Sequence, residues 1–292
     1  MTGWMRYAAL SMTAALLTGC AVTVPESPVK FPTVAAPFAR PANVKQTMLF
    51  RPAGGAGPFP AVVLLPTCGG MEGHVIDWAE RFVSAGYVVL TVESFVPRGT
   101  ANNCNAQPAT KYDDVTKDAA LALTHLRTLS FVDGDRLALM GFSFGANAGL
   151  RLSSASYVKQ MGLSVDGLRA IASVYPRCYP VGQNFVRPGG RLDNLIGDVA
   201  IPTMLFLGAI DDETPSIECV TRVDRFKAQG KPISYKVYPD TTHAYDSKTN
   251  GLQGRYVVHE RGRFFYRYSP DATEDTWREA KAMFDRELKG TK

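Results

Sequence analysis

The chain has 292 residues and lacks several features that would assign it quickly. No Cys-x-x-Cys occurs among its five cysteines, so the spacing that holds structural zinc is missing. No block of lysine or arginine occurs either. The formal charge of +5 is a small excess spread along the sequence, which gives a nucleic-acid partner little support. There is no internal repeat, so repeat architectures are not indicated. The one early apolar run, Ala8 to Leu17, is too short to span a membrane comfortably. Histidine is scarce, four in all, which narrows the search for a catalytic base. What is present is ordinary globular composition, 46% hydrophobic and 20% charged, in a chain long enough for one large α/β domain.

The first twenty residues differ from the rest. A charged start (Arg6), a short apolar middle and small residues before Cys20 have the form of an exported protein's signal peptide over residues 1–19. Leu17-Thr18-Gly19-Cys20 resembles the lipobox of bacterial lipoproteins, which implies cleavage before Cys20 and a lipid on its thiol. The mature protein would then be held to a membrane by that lipid. Ala21, where an Asp would retain it at the inner membrane, points to the periplasmic face of the outer membrane. Residues 20–45 are rich in Pro, Ala, Val and Thr and read as the lipidated cysteine and an extended tether, followed by a catalytic domain over 46–292. Cys68, Cys104, Cys178 and Cys219 remain, an even number that suits disulfides in an oxidising compartment. Order along an α/β sheet favours Cys68–Cys104 and Cys178–Cys219, since each would join neighbouring loops.

From residue 46 onward strand and helix signals alternate. Strands are predicted at 46–51, 60–66, 87–92, 136–141, 168–174, 202–207 and 233–238. Helices are predicted at 75–85, 112–129, 144–156, 219–229 and 272–289. Ala61-Val62-Val63-Leu64-Leu65 is apolar throughout, as a strand buried on both faces must be. The alternation predicts a mostly parallel central sheet with helices on both faces. Right-handed crossovers then gather the strand-to-helix loops at one edge, where sites form.

Gly141-Phe142-Ser143-Phe144-Gly145 sits at such a junction. A strand turning sharply into a helix needs a tight backbone, and flanking glycines make room for it. Ser143 is therefore the candidate nucleophile. A serine hydroxyl needs a base, and the base needs an orienting carboxylate. In this arrangement the chain order is serine, acid, histidine. His74 and His125 precede Ser143, and His125 falls within a helical pattern. His259 lies in a basic, aromatic stretch with no strand read before it. His243 follows strand 233–238 in a turn-rich loop and is the candidate base. Asp211, in the loop after strand 202–207, is the candidate acid, with Asp212 as its alternate. Oxyanion donors are expected from the backbone N–H of Phe144 and of Cys68, with Gly69 and Gly70 letting backbone approach substrate.

Together these stretches resemble the dienelactone hydrolase family of the α/β-hydrolase superfamily. The carriers are Cys68-Gly69-Gly70, Tyr87 through Gly99, Gly141 to Gly145, Asp211-Asp212-Glu213-Thr214-Pro215 and His243-Ala244-Tyr245-Asp246. The resemblance spans about residues 45–290 and implies an α/β-hydrolase fold. It also implies hydrolysis of a small-molecule ester or lactone through an acyl-enzyme, with no metal and no cofactor. It supports Ser143, Asp211 and His243 as the triad. Two departures stand out: founding members carry Cys where this chain has Ser143, and His-Gly where it has Pro66-Thr67. Gly69, Glu93, Arg98 and Tyr175 are candidate substrate contacts, with Phe95 and Tyr179 as further pocket lining. For Glu93 and Arg98 a structural ion pair is the competing expectation. A serine carboxylic-ester hydrolase, monomeric by default, is the leading reading. An acyltransferase using the same acyl-enzyme, and a non-catalytic binding or scaffold lipoprotein, are the alternatives.

Overall fold

Alternate apolar side chains of the central strands point to opposite faces of the sheet, where three buried clusters form. In the computed structural model, which describes residues 1, 27–33, 36–104, 109–178 and 198–290, strand β3 (Phe59–Leu65) shows this directly. Val62 and Leu64 face one side, with Trp78 and Phe82 of helix α1 (Gly73–Ser84) and Phe284 of helix α6 (Pro270–Lys289). Ala61, Val63 and Leu65 face the other, with Leu123 and Leu126 of helix α2 (Tyr112–Arg127). A strand covered on both faces has no polar side, which is why the run carries no alternation in polarity.

The remaining strands are β1 (Ala36–Pro37), β2 (Met48–Arg51), β4 (Val88–Thr91), β5 (Val132–Phe142), β6 (Leu168–Val174), β7 (Thr203–Gly208) and β8 (Ile233–Tyr238). They form one eight-stranded sheet in the order β1-β2-β4-β3-β5-β6-β7-β8. All its neighbouring pairs run parallel except β2 with β4. Helices α3 (Phe144–Leu152), α4 (Ala155–Met161) and α5 (Ser216–Ala228) complete the crossovers. The fold is the predicted one: a mostly parallel sheet with helices on both faces. A small antiparallel hairpin, β9 (Arg255–His259) with β10 (Gly262–Tyr266), stands apart from it. The sequence reading contains neither α4 nor this hairpin.

Disulfides join Cys68 to Cys104 and Cys178 to Cys219, with Cα separations of 4.9 and 5.0 Å, in the expected pairing. The expectation of an extended tether needs correction for residues 27–33 and 36–45. Ser27 donates to Asp118, Val29 is buried, and Phe31 stacks on His125 with ring centroids 5.4 Å apart. Arg40 pairs with Asp77 at 2.6 Å. Proline bars helix here, yet the apolar residues between the prolines still gain by packing on the domain. Cys20, the signal-peptide stretch 2–19 and Tyr179 lie outside the described residues. Among the described residues no helix is long and apolar enough to cross a membrane.

Candidate active site

Ser143 occupies the turn between β5 and α3 with φ 49° and ψ −106°, a left-handed conformation that a non-glycine residue rarely adopts. The surroundings enforce it. A Cβ on Gly141 would lie 2.3 Å from the Gly145 carbonyl oxygen. One on Gly145 would lie 2.6 Å from Leu65 Cβ and from the carbonyl oxygens of Leu65 and Pro66. Both glycines of the pentapeptide are thus required by close backbone approach. Ser143 N–H donates to Val174 O at 2.9 Å, and Gly145 N–H to Pro66 O at 3.0 Å, which fixes the elbow between β6 and the loop after β3.

His243 follows β8 in a loop where Asp240 and Ala244 both take positive φ. Asp246 secures that loop from below, accepting hydrogen bonds from Trp78 Nε1 at 2.8 Å and Tyr175 Oη at 2.7 Å. His243 Nε2 lies 3.0 Å from Ser143 Oγ, and Nδ1 lies 2.8 Å from Asp211 Oδ2. Asp211 is itself held: its Oδ1 accepts the N–H groups of Glu213 and Thr214 at 3.0 and 2.8 Å, and Oδ2 accepts Thr214 Oγ1 at 2.8 Å. Asp212 instead is exposed and accepts Phe265 N–H at 3.2 Å, so the acid that faces His243 is Asp211.

Glu213 is a second buried acid that the sequence reading does not single out. Its Oε2 lies 3.8 Å from His243 Nε2. Its Oε1 lies 2.8 Å from Arg261 and 3.4 Å from His259 Nε2. Tyr266 donates to its Oε2, and Arg177 donates to its main-chain carbonyl. Burial disfavours its charge, yet His243, Tyr266, Arg261 and His259 outweigh burial and hold its pKa below the ordinary carboxylate value. For His243 burial lowers the pKa, but the Asp211 and Glu213 carboxylates reverse the sign and raise it. His259 is lowered, by burial first and by the Arg261 cation. His259 does end a strand, contrary to the sequence reading. Its place is nonetheless at Glu213, while the histidine against Ser143 is His243.

A cavity of about 150 Å³ opens beside Ser143 and His243. The Thr67–Gly69 loop, His74, Asn102, Ser247, Asn250 and the hairpin residues Arg255, Val257 and His259 line it. Phe144 opens α3, so its N–H is one of the helix's N-terminal donors without an intrahelical partner. Cys68 and Gly69 line the cavity next to Ser143. The other expected substrate contacts do not reach it. Glu93 is buried and accepts the N–H groups of Met71, Phe95 and Val96 at 2.9, 2.7 and 3.3 Å, bracing the Gly69-Gly70 turn. Arg98 pairs not with Glu93 but with Asp118, at 2.7 and 3.0 Å. Tyr175 is fully buried, its hydroxyl committed to Asp246 and its ring centroid 4.7 Å from that of His243. Phe95 packs edge-on against Phe144 within the core. Each of these follows a strand end, as sequence suggested, but its side chain turns inward. Among the described residues no group of three or more His, Cys, Asp or Glu side chains is arranged to hold a metal ion.

A parallel sheet covered on both faces, with a serine on a strand-to-helix elbow at its carboxyl edge, defines an α/β-hydrolase fold. The chain belongs to the dienelactone hydrolase family, whose model matches residues 46–288. A Synechocystis sp. protein with the provisional name carboxymethylenebutenolidase is 21% identical over 250 residues, 80% of this chain and 88% of that one. Esterase FrsA of Salmonella typhi is 31% identical over 146 residues, 48% of this chain, and the match spans only 30% of FrsA. A crystal structure of a provisionally named dienelactone hydrolase from Klebsiella pneumoniae superposes with a TM-score of 0.63 at 20% identity, covering 82% of this chain and 92% of that one.

Proposed function

We propose that the protein hydrolyses a carboxylic ester or lactone through an acyl-enzyme on Ser143. The observation that carries this is the continuous hydrogen-bonded line Ser143 Oγ, His243 Nε2, His243 Nδ1, Asp211 Oδ2, at 3.0 and 2.8 Å. In the proposed sequence, Ser143 Oγ attacks the carbonyl carbon while its proton passes to His243 Nε2. The resulting imidazolium is stabilised by Asp211, and Asp211 also fixes the tautomer. The oxyanion is held by the N–H groups of Phe144 and Cys68. Collapse expels the alkoxide, which takes the proton from His243. Water then attacks the acyl-serine with His243 again as base; the acyl–Oγ bond breaks, the acid leaves, and Ser143 Oγ takes the proton back from His243. Family membership and the esterase relatives favour an ester over other acyl compounds.

The test is turnover of short p-nitrophenyl esters together with labelling by a fluorophosphonate probe. Both are expected in the wild type and both are expected to vanish in Ser143→Ala. A folded wild-type protein that neither labels nor turns over any ester would instead support the binding-module reading. We also propose that Cys20 carries lipid and anchors the protein at a bacterial membrane surface, outside the cytoplasm. The two disulfides suit such a compartment. Mass spectrometry of the mature protein tests this: an unmodified N-terminus at or near residue 21 would refute it.

A further inference from the structure

The cavity beside Ser143 contains a side chain that the proposed reaction does not use. His74, at the start of α1, is 5% exposed and lines the cavity, and neither ring nitrogen has a hydrogen-bond partner within the protein. Its ring meets Phe142 edge-on, with centroids 5.5 Å apart. Of the other polar lining groups, His259 Nε2 also has no hydrogen-bond partner but faces the Glu213 carboxylate at 3.4 Å, and three more are engaged. Asn250 donates to Ala244 O and accepts from Arg255 Nε, Asn102 Oδ1 accepts the Cys104 N–H, and Ser247 Oγ bonds Thr249 Oγ1. A buried imidazole with no partner costs free energy, whereas a phenyl ring there would cost none. The half-exposed carboxylate of Glu72 lies 3.6 Å from His74 Nδ1. That is too long for a hydrogen bond, so no partner in the protein fixes the ring's tautomer, and a neutral imidazole always keeps one nitrogen lone pair as an acceptor.

We propose that the cavity is a hydroxyl-recognising subsite, in which His74 accepts a hydrogen bond from a hydroxyl on the ester. This deepens, and rests on, the ester-hydrolase reading. It names the substrate class: short esters bearing a hydroxyl close to the reacting carbonyl, on either the acyl or the alcohol side. Size agrees, since about 150 Å³ is roughly five times the ~30 Å³ share of one water, room for a group of a few heavy atoms. The physics of discrimination also favours it. An apolar pocket barely distinguishes a hydroxyl from a methyl, while a buried group left unpaired penalises the methyl analogue strongly.

Two nearly isosteric pairs test this in a pH-stat assay. Methyl 2-hydroxypropanoate against methyl 2-methylpropanoate probes the acyl side. Propanoate esters of ethylene glycol and of 1-propanol probe the alcohol side. We expect wild-type kcat/KM to favour the hydroxylated member of at least one pair by about tenfold or more. His74→Phe, which keeps the ring and its packing on Phe142, should bring that ratio close to one. His74→Gln, which keeps an acceptor near the Nε2 position, should restore part of it. A wild-type ratio near one in both pairs, or a ratio unchanged in folded His74→Phe, would overturn the proposal. If both variants fail to fold, the wild-type ratios alone decide. Calorimetric binding of the same four esters to Ser143→Ala separates the two levels. A preference for the hydroxylated ester there, without turnover in the wild type, would leave the subsite standing and remove the hydrolase reading. Equal binding within each pair, with turnover intact, would do the reverse.

Discussion

Glu213 sits between His243 and the Arg261 cation of the hairpin, and its charge adds to that of Asp211 in raising the pH at which His243 becomes a free base. Protonation of His243 is favoured by Asp211 and Glu213 and opposed by burial and Arg177. The base must be neutral to take the serine proton, so activity is lost as pH falls through its pKa. Replacing the Glu213 carboxylate by an amide removes one of the two groups that raise that pKa. Glu213→Gln is therefore expected to move the acid limb of the kcat/KM profile to lower pH. An acid limb that stays in place, or moves upward, would remove Glu213 from that role. At this scale Ser143, Asp211 and His243 were legible, because each follows a strand signal in the order the chemistry demands. Glu213 was not. Its partners Arg261, His259 and Tyr266 come from 46 or more positions later in the chain, and no local pattern announces such an ion pair. Glu93 and Arg98 misled for a related reason. Their loop positions were right, but whether a side chain turns toward cavity or core depends on partners such as Met71 N–H and Asp118 that proximity in sequence does not reveal.

The elements act mainly by bringing backbones close. Gly145 allows α3 to start directly against Leu65 and Pro66, with no room for a Cβ. Gly145→Ala is expected to destabilise the fold by about 1–3 kcal/mol through overpacking at the elbow, visible as a lower urea midpoint. A midpoint within error of wild type would contradict the close approach. The Cys178–Cys219 disulfide ties α5 to the segment after β6 across a separation of 41 residues. Serine at both positions is expected to cost about 2–4 kcal/mol by the same measurement. Cys68–Cys104 holds the loop that carries the proposed oxyanion donor. Serine at both of its positions should lower kcat by about ten- to a hundredfold, since small misplacement of such groups is costly, with KM less affected. Equal kcat values would detach that disulfide from the site. The main strands and helices were readable from apolar runs and glycine breaks. The β9–β10 hairpin was not, because its residues Arg255–His259 and Gly262–Tyr266 alternate weakly and line the cavity rather than joining the main sheet.

For the molecule as a whole, a sheet packed on both faces offers one edge on which three distant loops meet. The elbow after β5, the acid loop after β7 and the histidine loop after β8 all leave parallel strands in the same direction, with β6 between β5 and β7, and β8 next to β7. Parallel pairing makes this convergence a consequence of topology, which is why the fold class and the meeting of Ser143, His243 and Asp211 could be read together. The most direct measurement is site-resolved labelling. The protein is treated with a fluorophosphonate and its peptides are analysed by mass spectrometry, alongside Ser143→Ala and His243→Ala. The prediction is a single adduct on the peptide containing Ser143, absent in Ser143→Ala and formed at least about a thousandfold more slowly in His243→Ala. Labelling at another residue, or labelling at Ser143 that proceeds at the wild-type rate without His243, would contradict it.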